Sequence, residues 1–364
     1  MSNYFVGAAV NEVDTPALMV NLDVLEGNIE KAAAFFRDLE VGWRPHTKGQ
    51  KVPAIAHREI EAGALGITCA KLEEAEVMVA AGIKSVLIAN QVVGPYKTRR
   101  LASLCRQAEV MAAVDSLENA RQLDEAGRDK GVRVPVLVEV DIGMNRCGTQ
   151  PGEATVQLSE QIHRMRGLRY RGVMGWEGHA RRFTDPDERK SVCEESIGLL
   201  VRSAQLCRQC GLPVEIVSCG GTGTQEFSSR VPGITEIQAG GIIFNDMYYS
   251  SLDLQHDFAL TVMSTVISRP DARRIVTDSG KKAMSSDTAV PRPIGVEGIE
   301  SVRFSAEHGV ITVHEPVERP GIGDRLEWII GYGDTTVSLH DEMYGVRDGR
   351  VEVVWPIWGR GKIR

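Results

Sequence analysis

The stretch Arg44-Pro45-His46-Thr47-Lys48-Gly49-Gln50-Lys51 sets a lysine, Lys48, just after a short extended run. Val41 to Pro45 reads as extended because a residue before proline is pushed out of the helical region, and a helical pattern resumes from Val52 to Glu61. Lys48 therefore falls on a strand-to-helix turn, where a partly desolvated amine can attack an aldehyde and form an imine. A solvated lysine in a basic loop is the other reading of the same residues. Arg146 lies in Asp141-Ile142-Gly143-Met144-Asn145-Arg146-Cys147-Gly148, and His179 ends Gly175-Trp176-Glu177-Gly178-His179. Two glycine-rich stretches follow, Ser218-Cys219-Gly220-Gly221-Thr222-Gly223-Thr224 and Gln238-Ala239-Gly240-Gly241-Ile242. Glycines let backbone N–H groups close on an anion with no Cβ in the way, and threonine hydroxyls add donors, as a phosphate cradle needs. Either stretch alone is also what a tight turn looks like.

The elements that hold these residues decide whether they meet. From Val41 to about Phe244, short β-branched runs alternate with amphipathic stretches at a spacing of about 20 to 35 residues, the rhythm of repeated βα units. Eight strands are predicted: Gly42 to Arg44, Leu65 to Cys69, Ser85 to Ala89, Glu109 to Val114, Val134 to Val140, Tyr170 to Gly175, Val214 to Ser218, and Glu236 to Gln238. Continuous apolar runs such as Val86-Leu87-Ile88-Ala89 suit parallel strands buried on both faces. The expected fold class is α/β, a (β/α)8 TIM-like barrel. In such a barrel the turns after the strands share one mouth, and the turns after the seventh and eighth commonly bind phosphate. Lys48, Arg146, His179 and both glycine stretches all fall on that face.

After about Ser250 the pattern changes to strands joined by turns. Leu260 to Val266, Arg274 to Thr277, Val310 to Thr312, Arg325 to Ile330, Thr335 to Leu339 and Val351 to Val354 are expected strands, and Asp348-Gly349 is a hairpin signal. The extended Ala17-Leu18-Met19-Val20, before a predicted helix from Leu22 to Phe36, is expected to pair with this β region. The domain expectation is a barrel over 22–250, with 1–21 and 251–364 forming a C-terminal, mostly-β domain.

Bulk composition narrows the function class. The chain has 364 residues, a net charge of -7 and 25% charged residues, with no basic run interleaved with aromatics, so small-molecule chemistry is favoured over nucleic-acid binding. The N-terminus lacks a basic start followed by an apolar stretch, and no apolar run approaches the roughly 18 residues of a membrane span. A cytoplasmic protein is expected. Seven cysteines without a regular framework read as free thiols, and Cys207-x-x-Cys210 as two helix thiols before a metal pair.

A lysine able to form an imine, a phosphate cradle and an arginine near a ring together suggest pyridoxal 5'-phosphate. His46 is placed to stack near that ring beside Lys48. At this point the chain resembles the alanine-racemase-fold pyridoxal-phosphate enzymes, in particular the group containing D-threonine aldolase, 3-hydroxy-D-aspartate aldolase and D-serine dehydratase. The matching stretches are Asp14-Thr15-Pro16-Ala17-Leu18, Arg44-Pro45-His46-Thr47-Lys48, Ile88-Ala89-Asn90, Glu139 to Gly143 with Arg146-Cys147-Gly148, Gly220 to Thr224, Glu236 to Gly240, Asp278-Ser279-Gly280, Ser305 to Gly309, and Gly345 to Gly349. The resemblance implies that Lys48 is the imine lysine and that the cofactor lies among His46, Arg146, Gly221, Thr222, Gly223, Thr224, Gln238, Gly240, Gly241 and Ile242. It also implies a small D-amino-acid substrate and a homodimer.

Two departures stand out. The family holds a divalent metal, manganese or magnesium, with a His and an Asp or Cys two residues later, where this chain has Tyr332-Gly333-Asp334. Asp334 alone remains of that pair. Tyr332 reads either as a structural tyrosine or as a proton carrier opposite Lys48, and His340-Asp341 offers potential ligands by coincidence. The family's base histidine falls at Arg182; His179, three residues earlier, reads either as a shifted base or as a residue that supports the phosphate loop or packs against Trp176. The first functional reading is a lyase that cleaves the Cα–Cβ bond of a D-3-hydroxy amino acid to glycine and an aldehyde. The alternatives are a metal-independent racemase, epimerase or dehydratase, and a non-catalytic pyridoxal-phosphate carrier.

Overall fold

The computed structural model describes residues 5–364 and divides into two compact units. The barrel unit comprises Lys31–Lys48, Pro53–Gly240 and Lys362–Arg364; the β unit comprises the described residues up to Glu30, Gly49–Val52 and Gly241–Gly361.

With β1 at Ala17–Asn21, the eight parallel strands of the barrel unit are β2 (Gly42–Trp43), β3 (Ile67–Cys69), β4 (Ser85–Gln91), β5 (Glu109–Val114), β6 (Val134–Glu139), β7 (Leu168–Met174), β8 (Ile216–Cys219) and β9 (Glu236–Ile237). They correspond to the eight expected runs. Their hydrogen-bonded order is β2-β9-β8-β7-β6-β5-β4-β3, and an isolated parallel bridge between His46 and Thr68 joins β2 back to β3. The ring therefore closes through a two-residue strand. Pro45 has no N–H to contribute there, and side chains supplement the ladder: Thr47 Oγ1 donates to Thr68 O at 3.0 Å and Thr68 Oγ1 to Arg44 O at 3.1 Å.

Every residue of β6 and β8 is buried, as expected of strands covered on both faces. Leu87, Met111, Ala113, Leu137, Met174 and Ile216 form one apolar cluster. Beside them the seam carries charge. Arg44 Nε donates to both carboxylate oxygens of Glu236 at 3.0 Å, and Arg44 Nη1 donates to Ser85 Oγ at 2.9 Å. Gly66, at φ +145°, makes room for this guanidinium: a Cβ there would lie 2.7 Å from Arg44 Nη1.

The outer helices carry their own start and stop signals. The helix Leu117–Lys130 is capped by Ser116, which accepts from the Asn119 amide, and ends at Gly131 with φ 65°. The helix Pro186–Gln209 starts with proline in its first turn, behind an Asp185 cap that accepts from Asp187 N and Glu188 N. Among the described residues, no helix is long and apolar enough to cross a membrane. All seven cysteines are free; Cys207 is buried and Cys210 exposed.

In the β unit, β10 (Leu260–Asp271), β11 (Arg274–Thr277), β12 (Arg292–Pro293), β13 (Ile299–Phe304), β14 (Gly309–Val313), β15 (Arg325–Ile329), β16 (Glu342–Arg347) and β17 (Arg350–Pro356) form one sheet with β1. As expected, β1 belongs here, antiparallel to β10 and parallel to β16. Its Ala17 and Met19 pack with Val13, Met263, Tyr344, Val351 and Val354. The β16/β17 hairpin turns at Asp348 and Gly349, both at positive φ, as the Asp-Gly signal requires. One expected strand is not one: Thr335 to Leu339 runs through a helical turn, Gly333–Thr336, and a 3-10 turn, Val337–Leu339. The cause is Asp246, whose Oδ2 accepts the Gly333 amide at 2.9 Å and starts the turn against local β propensity.

The Arg44–Glu236 pair yields a stability test. Glu236→Ala leaves a buried, unpaired guanidinium and is expected to cost about 3–5 kcal/mol, whereas replacing Arg44 and Glu236 together with Met and Leu costs far less. Urea midpoints followed by circular dichroism give the comparison.

Candidate active site

Lys48 sits in the 3-10 turn Thr47–Gly49 that follows β2. Its amide donates to His46 Nδ1 at 3.3 Å, so the ring of His46 braces the turn. Gly240, after β9, lies against the same backbone; a Cβ there would fall 2.1 Å from His46 O, so only glycine fits.

Trp176, after β7, is the meeting point. Lys48 Nζ lies 5.8 Å from its ring centroid, Arg146 Cζ 5.1 Å and Arg181 Cζ 4.9 Å. Three cations on one indole repel one another, which the negative face of the ring offsets only in part. Glu139 at the end of β6 is the near carboxylate, 3.8 Å from Arg146 Nη2. Burial pushes its pKa up, against the Gln91 hydrogen bond and the Arg146 charge that hold it down. The loop bearing Arg146 is shaped by Asp141, whose Oδ1 accepts from Gly143 N at 3.1 Å and Asn145 N at 3.0 Å.

The first glycine stretch is held from beneath by Glu177, which is fully buried. Its Oε1 accepts the hydroxyls of Thr224 and Ser228, each at 2.6 Å, and its Oε2 accepts the Gly220 amide at 3.3 Å. Gly221 then passes close to the indole, where a Cβ would lie 3.1 Å from Trp176 Nε1. Gln238 reaches Ser218 Oγ at 2.9 Å and so ties β8 to the second glycine stretch. His179 lies on the 3-10 turn Gly178–Arg182, packed so closely on Gly143 that a Cβ there would be 2.8 Å from its ring. Its Nε2 is 3.2 Å from Ser196 Oγ on the helix Pro186–Gln209, and its Nδ1 is buried without a hydrogen-bond partner.

The structure thus gathers Lys48, Arg146 and Trp176 at one place and sets His46, Gln238 and Gly240 in the turns around it. Gly241 and Ile242 open the 3-10 turn Gly241–Ile243, in the β unit. Tyr332 and Asp334 also belong to the β unit, where Tyr332 Oη donates to Asp334 Oδ2 at 2.8 Å. His340 and Asp341 are engaged apart from each other: His340 Nε2 is 2.8 Å from Ala283 O, burial depresses its pKa, and Asp341 pairs with Arg360.

Residues 20–247 match the alanine racemase N-terminal domain family, and residues 259–346 match a putative serine dehydratase domain. The chain is 35% identical to a D-threonine aldolase from Arthrobacter sp over 98% of this chain and 95% of the relative. It belongs to the alanine-racemase-fold family of these D-amino-acid enzymes. Its fold superposes on the crystal structure of D-threonine aldolase from Filomicrobium marinum with a TM-score of 0.96, at 36% identity and 99% coverage of both chains. It is also similar to a D-threo-3-hydroxyaspartate dehydratase mutant solved in the metal-free form, with a TM-score of 0.88, 27% identity, and 96% and 98% coverage.

Family membership implies pyridoxal 5'-phosphate, and the barrel residues fit it. An anionic cofactor answers the surplus of positive charge around Trp176, and Gly221 puts no side chain between the first glycine stretch and the indole. The metal is a different matter. No group of three His, Cys, Asp or Glu able to hold an ion occurs among the described residues.

Sequence reasoning did not single out Trp176 or Glu177. The signal was a carboxylate and an indole inside a glycine-flanked turn, Gly175-Trp176-Glu177-Gly178, where neither has a local structural use. Glu177→Ala strips three donors of their acceptor, at about 1–3 kcal/mol each if left unsatisfied. The expected outcome is at least about a tenfold loss in pyridoxal phosphate affinity with the far-UV dichroism retained, measured by titrating the visible absorption of the bound cofactor.

Proposed function

We propose that this protein is a pyridoxal-phosphate-dependent lyase that cleaves the Cα–Cβ bond of a D-3-hydroxy amino acid, releasing glycine and an aldehyde. The observation that carries the reading is Lys48 on the turn after β2, converging with Arg146 on Trp176, in a chain similar over its length to D-threonine aldolases. When bound, the cofactor supplies an electron-poor ring that takes up the electrons released as a bond at Cα breaks.

The chain's own residues do the rest. Lys48 would hold the cofactor through its aldehyde carbon, and its amine would be the group placed to move a proton beside it. Thr222, Gly223 and the backbone braced by Glu177 would hold the phosphate, with Gln238 and Gly240 beside them. Arg146, 3.8 Å from Glu139, would keep positive charge beside the bound cofactor and so disfavour a further proton nearby. His179 takes the proton of the substrate's β-hydroxyl, Ser196 orienting its ring through Nε2. The homodimer, the cytoplasmic setting and the D-configuration are carried over from the family resemblance.

A second reading, a dehydratase acting on the same substrate class, is favoured by the match of residues 259–346 to a putative serine dehydratase domain. One assay separates the two. Purified protein with pyridoxal phosphate is given D- and L-3-hydroxy amino acids, and aldehyde and ammonia are both followed. Aldehyde from D-substrates alone is the expected result, and ammonia without aldehyde would replace the lyase with the dehydratase. Lys48→Ala should lose the absorption of lysine-bound cofactor together with turnover. His179→Asn should keep that absorption and lower kcat/KM by about 10²–10⁴-fold.

A further inference from the structure

In the β unit, the residues standing at the family's metal-binding positions are bonded to each other. Tyr332 Oη donates to Asp334 Oδ2 at 2.8 Å, so the phenol that replaces an imidazole also occupies the carboxylate that would have been its fellow ligand. The phenol is held in place by two rings, Tyr248 and Tyr249, with centroids 5.5 and 5.9 Å from its own. The other oxygen of Asp334 faces backbone, since a Cβ on Gly49 would lie 2.8 Å from Oδ1.

Asp246 is the remaining carboxylate nearby, and it is committed too. It is buried, its Oδ1 accepts the Tyr249 amide at 2.8 Å, and its Oδ2 accepts the Gly333 amide at 2.9 Å. These bonds set the turn on which Tyr332 and Asp334 sit, so turning Asp246 toward an ion would dismantle the turn. Manganese and magnesium need several oxygen or imidazole ligands with free lone pairs. A protonated phenol hydrogen-bonded to the one available carboxylate does not provide them, and His340 and Asp341 are engaged with Ala283 and Arg360.

We infer that this chain takes up no divalent cation at Tyr332 and Asp334 and performs its chemistry without one, the phenol–carboxylate hydrogen bond standing at the positions where the family resemblance implies a metal. The statement about the reaction rests on the lyase reading; the statement about binding does not.

The test uses the purified protein with pyridoxal phosphate bound, first dialysed against chelator. Manganese is titrated in, and the free ion is followed by electron paramagnetic resonance. The wild-type protein should show no saturable uptake, and aldehyde release from a D-3-hydroxy amino acid should change by less than about twofold on chelation. Tyr332→His, which restores an imidazole two residues before Asp334, should gain a saturable manganese site that the added substitution Asp334→Asn removes. Saturable uptake by the wild-type protein that Asp334→Asn abolishes would overturn the inference. So would a Tyr332→His variant that folds, judged by its bound cofactor, yet gains no manganese. Should no substrate be turned over with or without metal, the lyase reading fails, while the manganese titrations still decide the binding claim.

Discussion

A ring of eight strands has to close, and here it closes through a strand of two residues. Pro45 withdraws an N–H from that seam, so the join between β2 and β3 depends on one bridge, two threonine hydroxyls and a few backbone bonds. The buried pairing of Arg44 with Glu236 and Ser85 ties the end of β2 to β9 on one side and, across β3, to β4 on the other. The turn that carries Lys48 comes straight off this seam, so the position of the amine is set by how the barrel shuts. A loop tethered only at its ends would leave it to wander; the His46 ring and the close packing of Gly240 on the His46 backbone remove that freedom.

Charge organises what faces Lys48. One carboxylate, Glu177, is fully enclosed and spends itself on two hydroxyls and an amide, which holds the first glycine stretch open without adding negative charge at its surface. Another, Glu139, anchors Arg146 from the side. What is presented to a ligand is then an indole, three cations and glycine backbone. That combination suits an anionic ligand better than an apolar one.

Much of this was legible in the sequence. Parallel strands buried on both faces announce themselves as apolar runs, and all eight were read, as were the Asp-Gly hairpin and the placing of Ala17–Asn21 with the β region. Lys48, Arg146, His179 and the glycine stretches stand out because their residue types and their places after strands are chemically suggestive, and the structure brings Lys48 and Arg146 onto one indole. The failures have two causes, a partner distant in sequence and a locally broken apolar pattern. Thr335 to Leu339 is β-branched and reads as a strand, but a carboxylate distant in sequence, Asp246, starts a helical turn there. Ile299–Phe304 is a strand that was not expected, since Glu300, Ser301 and Arg303 interrupt its apolar pattern on a partly exposed sheet edge. Glu177 was quoted only as a neighbour of His179, because its partners, Gly220, Thr224 and Ser228, lie far ahead in the chain.

The pairing of β1 has a consequence for the order in which the molecule is made. Residues 17–21 are synthesised early, yet both neighbours of this strand, Leu260–Asp271 and Glu342–Arg347, come later, the second close to the end of the chain. The barrel strands, by contrast, occupy one uninterrupted stretch from Gly42 to Ile237. On the ribosome the barrel has all its strands while the β unit still lacks most of its own, and the apolar face of Ala17 and Met19 has to wait for β10 and β16 before it is covered.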